Sequence, residues 1–162
     1  MTKSDDTLLE LNRKVAVYLK HIPPFKYKNK EYRLIDNYVA TPTMRCDICG
    51  DYPQWEISII ESCDGHQIRV GNICIDSLTG QNVSEWMKNF RKKRVNIMAN
   101  RNCIDQLSRI LDANKKGALS LQIPKEYTKE FRTILDQLCE GLNLTTKQRQ
   151  LTDSYLTLQV NA

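Results

Sequence analysis

Two cysteines separated by two residues are the part of this sequence with the clearest chemistry. Cys46 and Cys49 are followed directly by Gly50. This spacing is typical of a tight turn that directs two thiolates at one metal ion, and the turn needs a backbone conformation that a side chain would obstruct. Cys74 lies where a short helix is predicted to begin, and a helix N-terminus favours a thiolate. The three cysteines therefore predict a metal site, with Zn²⁺ as the expected ion.

The fourth ligand of a tetrahedral zinc ion is not obvious from the sequence. The usual position, three residues after Cys74, is Ser77, which is a poor ligand. Cys63 and His66 are chemically better, and we include His66 in the predicted ligand set. Both lie in the turn of a predicted hairpin, however, and six strand residues at about 3.3 Å each place that turn about 20 Å from the metal end. The remaining candidates are a water molecule, Asp76 and His21.

Cysteine usage and the polar N-terminus favour a reducing compartment. The chain has 6 cysteines, spaced too irregularly for a secreted disulfide framework. It has no apolar segment typical of a signal peptide, and no apolar run approaches the ~20 residues that span a bilayer. We therefore expect a cytoplasmic protein without a membrane partner. Cys103 and Cys139 lie in predicted helices without a second ligand nearby, so we interpret both as packed structural thiols, which is also the simpler interpretation of Cys46, Cys49 and Cys74.

Apolar periodicity and turn residues divide the chain into elements around the cysteines. The N-terminal part reads as a helix, a strand, a hairpin and a short helix, over about 5–21, 33–40, 55–61 with 67–72, and 73–78. The C-terminal part reads as helical over 84–114, 124–140 and from Thr145 to about 158, with Thr145 and Gln148 forming a capping box. The predicted division is 1–31, 32–80 and 81–162.

A heptad pattern runs through residues 84–114. Phe90, Ile97, Ile104 and Leu111 fall seven residues apart, with Trp86 and Leu107 on the neighbouring position. This pattern predicts one long helix, or two helices if the low-propensity run 96–102 is a break. Lys93 falls on the apolar seam, where it either snorkels or marks the point at which the helix leaves the core for a partner.

The net charge of +5 is distributed unevenly. Residues 46–80 carry 1 basic and 6 acidic residues, whereas 1–45 carry 9 and 5 and 81–117 carry 9 and 3. If nucleic acid binds, its phosphates should therefore meet the flanks of the cysteine-containing module. The predicted nucleic-acid-binding residues are Lys26, Lys28, Lys30, Arg33, Lys88, Arg91, Lys92 and Arg94.

Each basic flank also has a simpler interpretation. Residues 25–33 interleave aromatic and basic side chains, which could stack on bases and meet phosphates, but an edge strand with its aromatics in the core has the same pattern. The basic cluster 88–94 does not form a single stripe at 100° per residue, and a solvated helix face would look similar.

The pattern Cys46-x-x-Cys49-Gly50, a hairpin, and then Val70-Gly71-x-x-Cys74 before a short helix resembles small treble-clef zinc proteins found in phage, plasmid and archaeal or bacterial genomes. The resemblance covers about residues 32–80. It implies a knuckle, hairpin and helix around one ion, in modules that often accompany nucleic-acid transactions. We therefore expect an α+β fold, with a small treble-clef-like zinc hairpin module flanked by an N-terminal helix and a C-terminal helical region.

The sequence contains none of the motifs that we associate with an enzyme. It has two histidines and no paired-carboxylate motif, nucleophile elbow, phosphate loop or H-E-x-x-H motif. We therefore expect a non-enzymatic zinc-binding protein that contacts nucleic acid through its basic flanks. The alternative is a protein–protein adaptor that docks through helices 84–114 and 124–158.

Overall fold

The fold combines helices with one antiparallel sheet, as the α+β prediction requires. The computed structural model describes residues 1–117 and 123–161, with side chains to residue 157. The helices are α1 (Lys3–His21), α2 (Asn72–Thr79), α3 (Val83–Ala99), α4 (Arg101–Lys115), α5 (Lys125–Cys139) and α6 (Thr146–Asn161). The strands are β1 (Phe25–Tyr27), β2 (Lys30–Met44), β3 (Gln54–Ser62) and β4 (Gln67–Val70), paired in the order β1-β2-β3-β4. No helix in the described ranges is long and apolar enough to span a bilayer.

The chain divides into two compact units. One comprises Asn12–Phe90, and the other comprises Met1–Leu11 with Arg91–Ala162. These bounds differ from the sequence-based division, because α1 and α3 each contribute residues to both units. The cysteines of the predicted metal site all belong to the unit Asn12–Phe90.

The segment 25–33, for which an alternating edge strand was the simpler interpretation, is a tight hairpin. Lys28 and Asn29 form its two-residue turn with φ of 48° and 64°, as a type I′ turn requires. Phe25 pairs with Tyr32, whose side chain is only 3% exposed. The aromatic side chains of this hairpin therefore face the core, which agrees with the simpler interpretation of the pattern.

The core of the unit Asn12–Phe90 lies on one face of the sheet. Leu34 and Ile60 are opposite one another on β2 and β3, and Val70 on β4 is fully buried beside them. Helix α2 contributes Ile75, and α3 contributes Met87. On the same unit, Trp86 stacks on Tyr18 of α1 with ring centroids 3.8 Å apart. This packing fixes the start of α2, which carries Cys74, against the sheet.

The predicted heptad seam is interrupted and lies inside the protein. Asn100 separates α3 from α4, so the low-propensity run 96–102 is a break. Beyond Phe90 the seam residues are buried together with α5 in the second unit; they are Ile97, Ile104, Leu107, Leu111, Phe131, Ile134 and Leu138. The seam is therefore filled by the chain itself and is not a free docking surface.

The backbone of Gly141 packs closely against Lys93, which falls on the seam. A Cβ atom added at Gly141 would lie 2.7 Å from the Cα of Lys93, and the Asn96 Nδ2 donates a hydrogen bond of 2.8 Å to the Gly141 carbonyl. The position therefore accommodates a backbone contact with the turn that follows α5. The Lys93 side chain is exposed, as snorkelling from a seam position would require.

Candidate metal centre

The three predicted cysteines meet at one point in the unit Asn12–Phe90. The Sγ atoms of Cys46, Cys49 and Cys74 lie within 4.8 Å of one another. Tetrahedral coordination with Zn–S bonds of about 2.3 Å would place the sulfurs about 3.8 Å apart, which lies within that limit. Cys46 is buried, Cys74 is half-buried and Cys49 is exposed. The donor set could therefore hold a metal ion that accepts thiolate ligands.

The turn that carries Cys46 and Cys49, called the knuckle below, closes at Gly50. The Gly50 N–H donates a 2.9 Å hydrogen bond to the Cys46 carbonyl, and Gly50 has φ of +77°. A Cβ atom there would meet nothing within 4 Å. Glycine is therefore favoured by the left-handed backbone conformation and not by lack of space, which refines the prediction made from the sequence.

Backbone hydrogen bonds join this turn to β4. The Asp47 N–H donates to the Arg69 carbonyl, and the Arg69 N–H donates to the Asp47 carboxylate Oδ2, both at 2.9 Å. Cys46 itself donates its N–H to the Asp51 carbonyl at 3.1 Å. Because β4 leads directly into α2, these bonds bring the turn close to Cys74.

The start of α2 completes the arrangement. The N-cap residue, Gly71, donates its N–H to the Cys46 Sγ at 3.3 Å, and Cys74 is the third residue of the helix. Asn72 at the first helical position donates from Nδ2 to Glu56 on β3 at 3.1 Å. The helix N-terminus therefore lies against both the turn and the hairpin, with its N-cap N–H on the Cys46 sulfur.

The pKa values of Cys46 and Cys74 are shifted in opposite directions. Burial raises the pKa of Cys46, but N–H groups of Cys49, Gly71 and Ile48 stabilise its thiolate and leave the pKa below its usual value. Burial and the two neighbouring thiols raise the pKa of Cys74 to about 12. Coordination by all three thiolates therefore requires the loss of the Cys74 proton to the approaching cation.

The structure does not bring the predicted ligand His66 to the cysteines. β3 and β4 stay paired as far as Glu61 and Gln67, so the hairpin does not fold back on itself. His66 and Cys63 are exposed in the turn beyond that pair, at the opposite end from Cys74. The inclusion of His66 in the ligand set is therefore corrected.

Two other candidates for the fourth ligand, Asp76 and His21, form hydrogen bonds with residues outside the cysteine group. The carboxylate of Asp76 accepts hydrogen bonds from the backbone N–H of Ser84, at 2.9 Å, and from its hydroxyl. The Nδ1 atom of His21 forms a hydrogen bond of 2.7 Å with the Val17 carbonyl. Over the described part of the chain, the group of three cysteines contains no further His, Cys, Asp or Glu.

Cys103 and Cys139 lie in α4 and at the end of α5, outside the cysteine group. Both are half-buried, and the Thr7 hydroxyl donates to the Cys139 sulfur at 3.5 Å. Burial raises the pKa of the Cys103 thiol. These are the properties of packed thiols.

The basic residues of the first flank are exposed but locally balanced by acidic ones. The pairs are Lys26 with Glu31 and Arg33 with Glu61, both by strand register, and Lys30 with Asp64 at an Nζ···Oδ2 distance of 3.2 Å. Lys28 lies over the Tyr27 ring, 5.5 Å from its centroid. This surface therefore has little excess positive charge.

The second flank has a stronger excess of positive charge. Lys88, Lys92 and Arg94 are exposed on α3, and Arg91 is half-buried. The same helix exposes two apolar side chains that we did not predict, Val95 at 66% and Met98 at 49%. They lie four and seven residues after Arg91 and so share the helix face of Arg91. This spacing could have indicated from the sequence that they lie beside the basic residues.

The hydrogen bonds that two neighbouring residues make with the cysteine group were not predicted from the sequence. The Asp47 carboxylate and the Gly71 N–H act through the register between the knuckle and β4, which residue types alone do not reveal. Comparisons of the chain with protein-family models, with curated proteins and with solved structures find no match.

Proposed function

We propose that the protein binds one zinc ion through Cys46, Cys49 and Cys74 in a module of the treble-clef type. The observation that carries this proposal is the meeting of three thiols from a C-x-x-C-G turn and a helix N-terminus, within 4.8 Å of one another. Thiolates select zinc among the common divalent ions, and the N–H groups around Cys46 support the negative charge that such a ligand needs.

The role of the zinc ion in this proposal is structural. Three thiolates donate enough charge to make the ion a weak Lewis acid, which argues against a catalytic role. The elements that carry the thiolates are short, so each depends on the others to hold its position. The ion would join the knuckle, β4 and α2, and metal-binding free energy would become folding free energy. The protein itself is proposed to be non-enzymatic.

The proposed partner is nucleic acid, bound through the basic side chains of α3. Lys88, Lys92 and Arg94 are solvent-exposed, and the segment 81–117 carries 9 basic and 3 acidic residues. The β1–β2 hairpin is the weaker candidate, because three of its four basic residues have an acidic neighbour and its aromatics face the core. α3 therefore carries most of the proposed interaction with phosphates.

Salt-dependent binding to fluorescent oligonucleotides tests this proposal on the metal-loaded full chain. Replacing Lys88, Arg91, Lys92 and Arg94 by Gln should abolish binding, or lower the slope of log K against log salt by about 0.7–0.9 for each lost phosphate contact. The control replaces four exposed basic residues elsewhere, namely Lys125, Lys129, Arg132 and Lys147, with the same change in net charge. Equal losses in the two variants would contradict a contact localised on α3.

The second candidate function is a protein–protein adaptor, and the exposed Val95 and Met98 favour it. They place apolar surface among the basic residues of α3, which suits an acidic protein surface with apolar contacts. The absence of salt-dependent oligonucleotide binding by a folded, metal-loaded chain would leave this function as the better one.

A further inference from the structure

The three cysteines leave one position of a tetrahedral ion to be filled. No fourth His, Cys, Asp or Glu joins them among the described residues. Every residue of these four types has a described side chain, because 118–122 and 158–162 contain none of them. A further side-chain ligand from this chain must therefore be of another type. The carboxamide of Asn or Gln, whose oxygen has two lone pairs, is such a type.

Gln54, at the start of β3, lies between the two segments that carry the cysteines. Its partner on β2 is Met44, two residues before Cys46. Its side chain lies against Gly71, three residues before Cys74, because a Cβ atom added at Gly71 would be 2.4 Å from the Gln54 Oε1. The Gly71 N–H donates to the Cys46 sulfur at 3.3 Å. The Gln54 carboxamide and the Cys46 sulfur therefore lie against the same residue.

The alternation of side chains along β3 directs Gln54 towards α2. Gln54 and Glu56 are two residues apart and so point to the same face of the sheet. Glu56 accepts a hydrogen bond from the Asn72 Nδ2 at 3.1 Å, which identifies this face as the one covered by the start of α2. Gln54 is half-buried, and its carboxamide makes no hydrogen bond within the described part of the chain. Its oxygen is therefore available to an ion.

The glycine at position 71 makes room for this carboxamide. Gly71 has φ of −74° and ψ of 172°, an extended conformation that any residue adopts, so the backbone does not require glycine there. A side chain at this position would instead meet the Gln54 Oε1 at 2.4 Å and the Gln54 Cδ at 2.9 Å. The sequence therefore spares the space that the carboxamide occupies next to the cysteine group.

We propose that the carboxamide oxygen of Gln54 is the fourth ligand of this metal centre. A divalent cation with three thiolates carries a net charge of about −1. A neutral oxygen adds no further negative charge to the segment 46–80, which already has 6 acidic and 1 basic residues. Because zinc holds a neutral oxygen less firmly than a thiolate or an imidazole, a stronger donor can compete for this position. This inference rests on the proposed function, since it needs the three-thiolate site.

Cobalt substitution of the full chain tests the inference by absorption spectroscopy. Thiolate-to-cobalt charge-transfer absorption reports the three cysteines, and the visible d–d bands report the fourth position. Gln54→Leu should shift the d–d bands and leave the charge-transfer absorption in place, because water replaces the carboxamide. Zinc affinity, measured by competition with a chelating dye, should fall about tenfold. The control, Gln67→Leu, removes a carboxamide bonded to Glu61 at the other end of the hairpin and should change neither quantity.

Added imidazole distinguishes a filled fourth position from an open one. It should shift the d–d bands of Gln54→Leu at a lower concentration than those of the unaltered chain, in which it must displace the carboxamide. Gln54→Glu keeps an oxygen of the same reach and should restore the resistance to imidazole. Gly71→Ala should resemble Gln54→Leu, because its methyl group displaces the carboxamide, and the two changes together should have no greater effect than either alone.

Each contrary outcome has a defined meaning. Unchanged d–d bands and zinc affinity in Gln54→Leu, or the same response to imidazole with and without the carboxamide, overturn the inference while the zinc proposal stands. Additive effects of Gly71→Ala and Gln54→Leu also overturn it, because the two changes would then act on different groups. Charge-transfer absorption missing from the unaltered chain overturns the proposed function together with this inference.

Discussion

Negative charge at the candidate metal centre is stabilised chiefly by backbone N–H groups. The Cys46 sulfur accepts from the Gly71 N–H at 3.3 Å, and the turn that contains Cys46 is joined to β4 through Asp47. The cluster therefore depends on residues that do not themselves bind the ion. Hydrogen-bonding partners of this kind orient ligands and affect metal affinity strongly.

Asp47→Ala should weaken zinc binding about tenfold, because it removes the carboxylate that accepts from the Arg69 N–H and holds the knuckle on β4. The matched control is Asp51→Ala, which removes an equal charge from the same turn but retains the carbonyl that accepts from Cys46. Competition titration with a chelating dye measures both affinities. An equal loss in the two variants would show that net charge, and not the Asp47 hydrogen bond, sets the affinity.

Asp64 in the β3–β4 turn should titrate at unusually low pH. Hydrogen bonds from the Ser62 hydroxyl, the Lys30 ammonium and the His66 N–H lower its pKa to about 2. Because the folded pKa is below the ordinary value of 3.8, the stabilisation by the carboxylate is present above that value and is lost as the pH falls towards 2. NMR titration of the side-chain carboxyl measures the midpoint, and Lys30→Gln should raise it. A midpoint near 3.8 in the unaltered chain would contradict these contacts.

Among the elements, the hairpin and the short helix around the cysteines follow closely from the sequence. The predicted strands 55–61 and 67–72 correspond to β3 and β4, and the helix predicted at 73–78 is α2. The β1–β2 hairpin was not predicted, because its turn is Lys28-Asn29 and lacks the Asn-Gly or Asp-Gly pair that usually signals a two-residue turn. Lysine rarely adopts positive φ, so its residue type concealed the turn.

Gly141→Ala should destabilise the unit that contains α5 by about 2–4 kcal/mol, because it combines positive φ with overlap against the Lys93 backbone. The control is Gly117→Ala, which also has positive φ but open space around the added methyl group, and should cost only about 1–2 kcal/mol. Urea unfolding measures both. Similar costs in the two variants would show that the close approach to Lys93 relaxes easily.

Across the whole molecule, the sequence predicted the α+β composition and the convergence of three cysteines but not the role of the heptad seam. The periodicity of Ile97, Ile104 and Leu111 correctly indicated one apolar face. It did not indicate whether that face meets a partner or the chain's own α5, since both would select the same residues. The distribution of charge along the sequence likewise did not reveal which basic residues are balanced by acidic ones, because strand register decides which of them have acidic neighbours.

Metal content of the purified full-length chain is the measurement that tests the central claim most directly. We predict about one zinc per chain by mass spectrometry of the metal, no stable zinc binding in Cys74→Ser, and unchanged content in Cys63→Ser, which alters an exposed cysteine outside the group. Circular dichroism should show loss of structure with the metal in Cys74→Ser. A well-folded chain without zinc, or full zinc content in Cys74→Ser, would contradict the claim that these three cysteines form a structural zinc site.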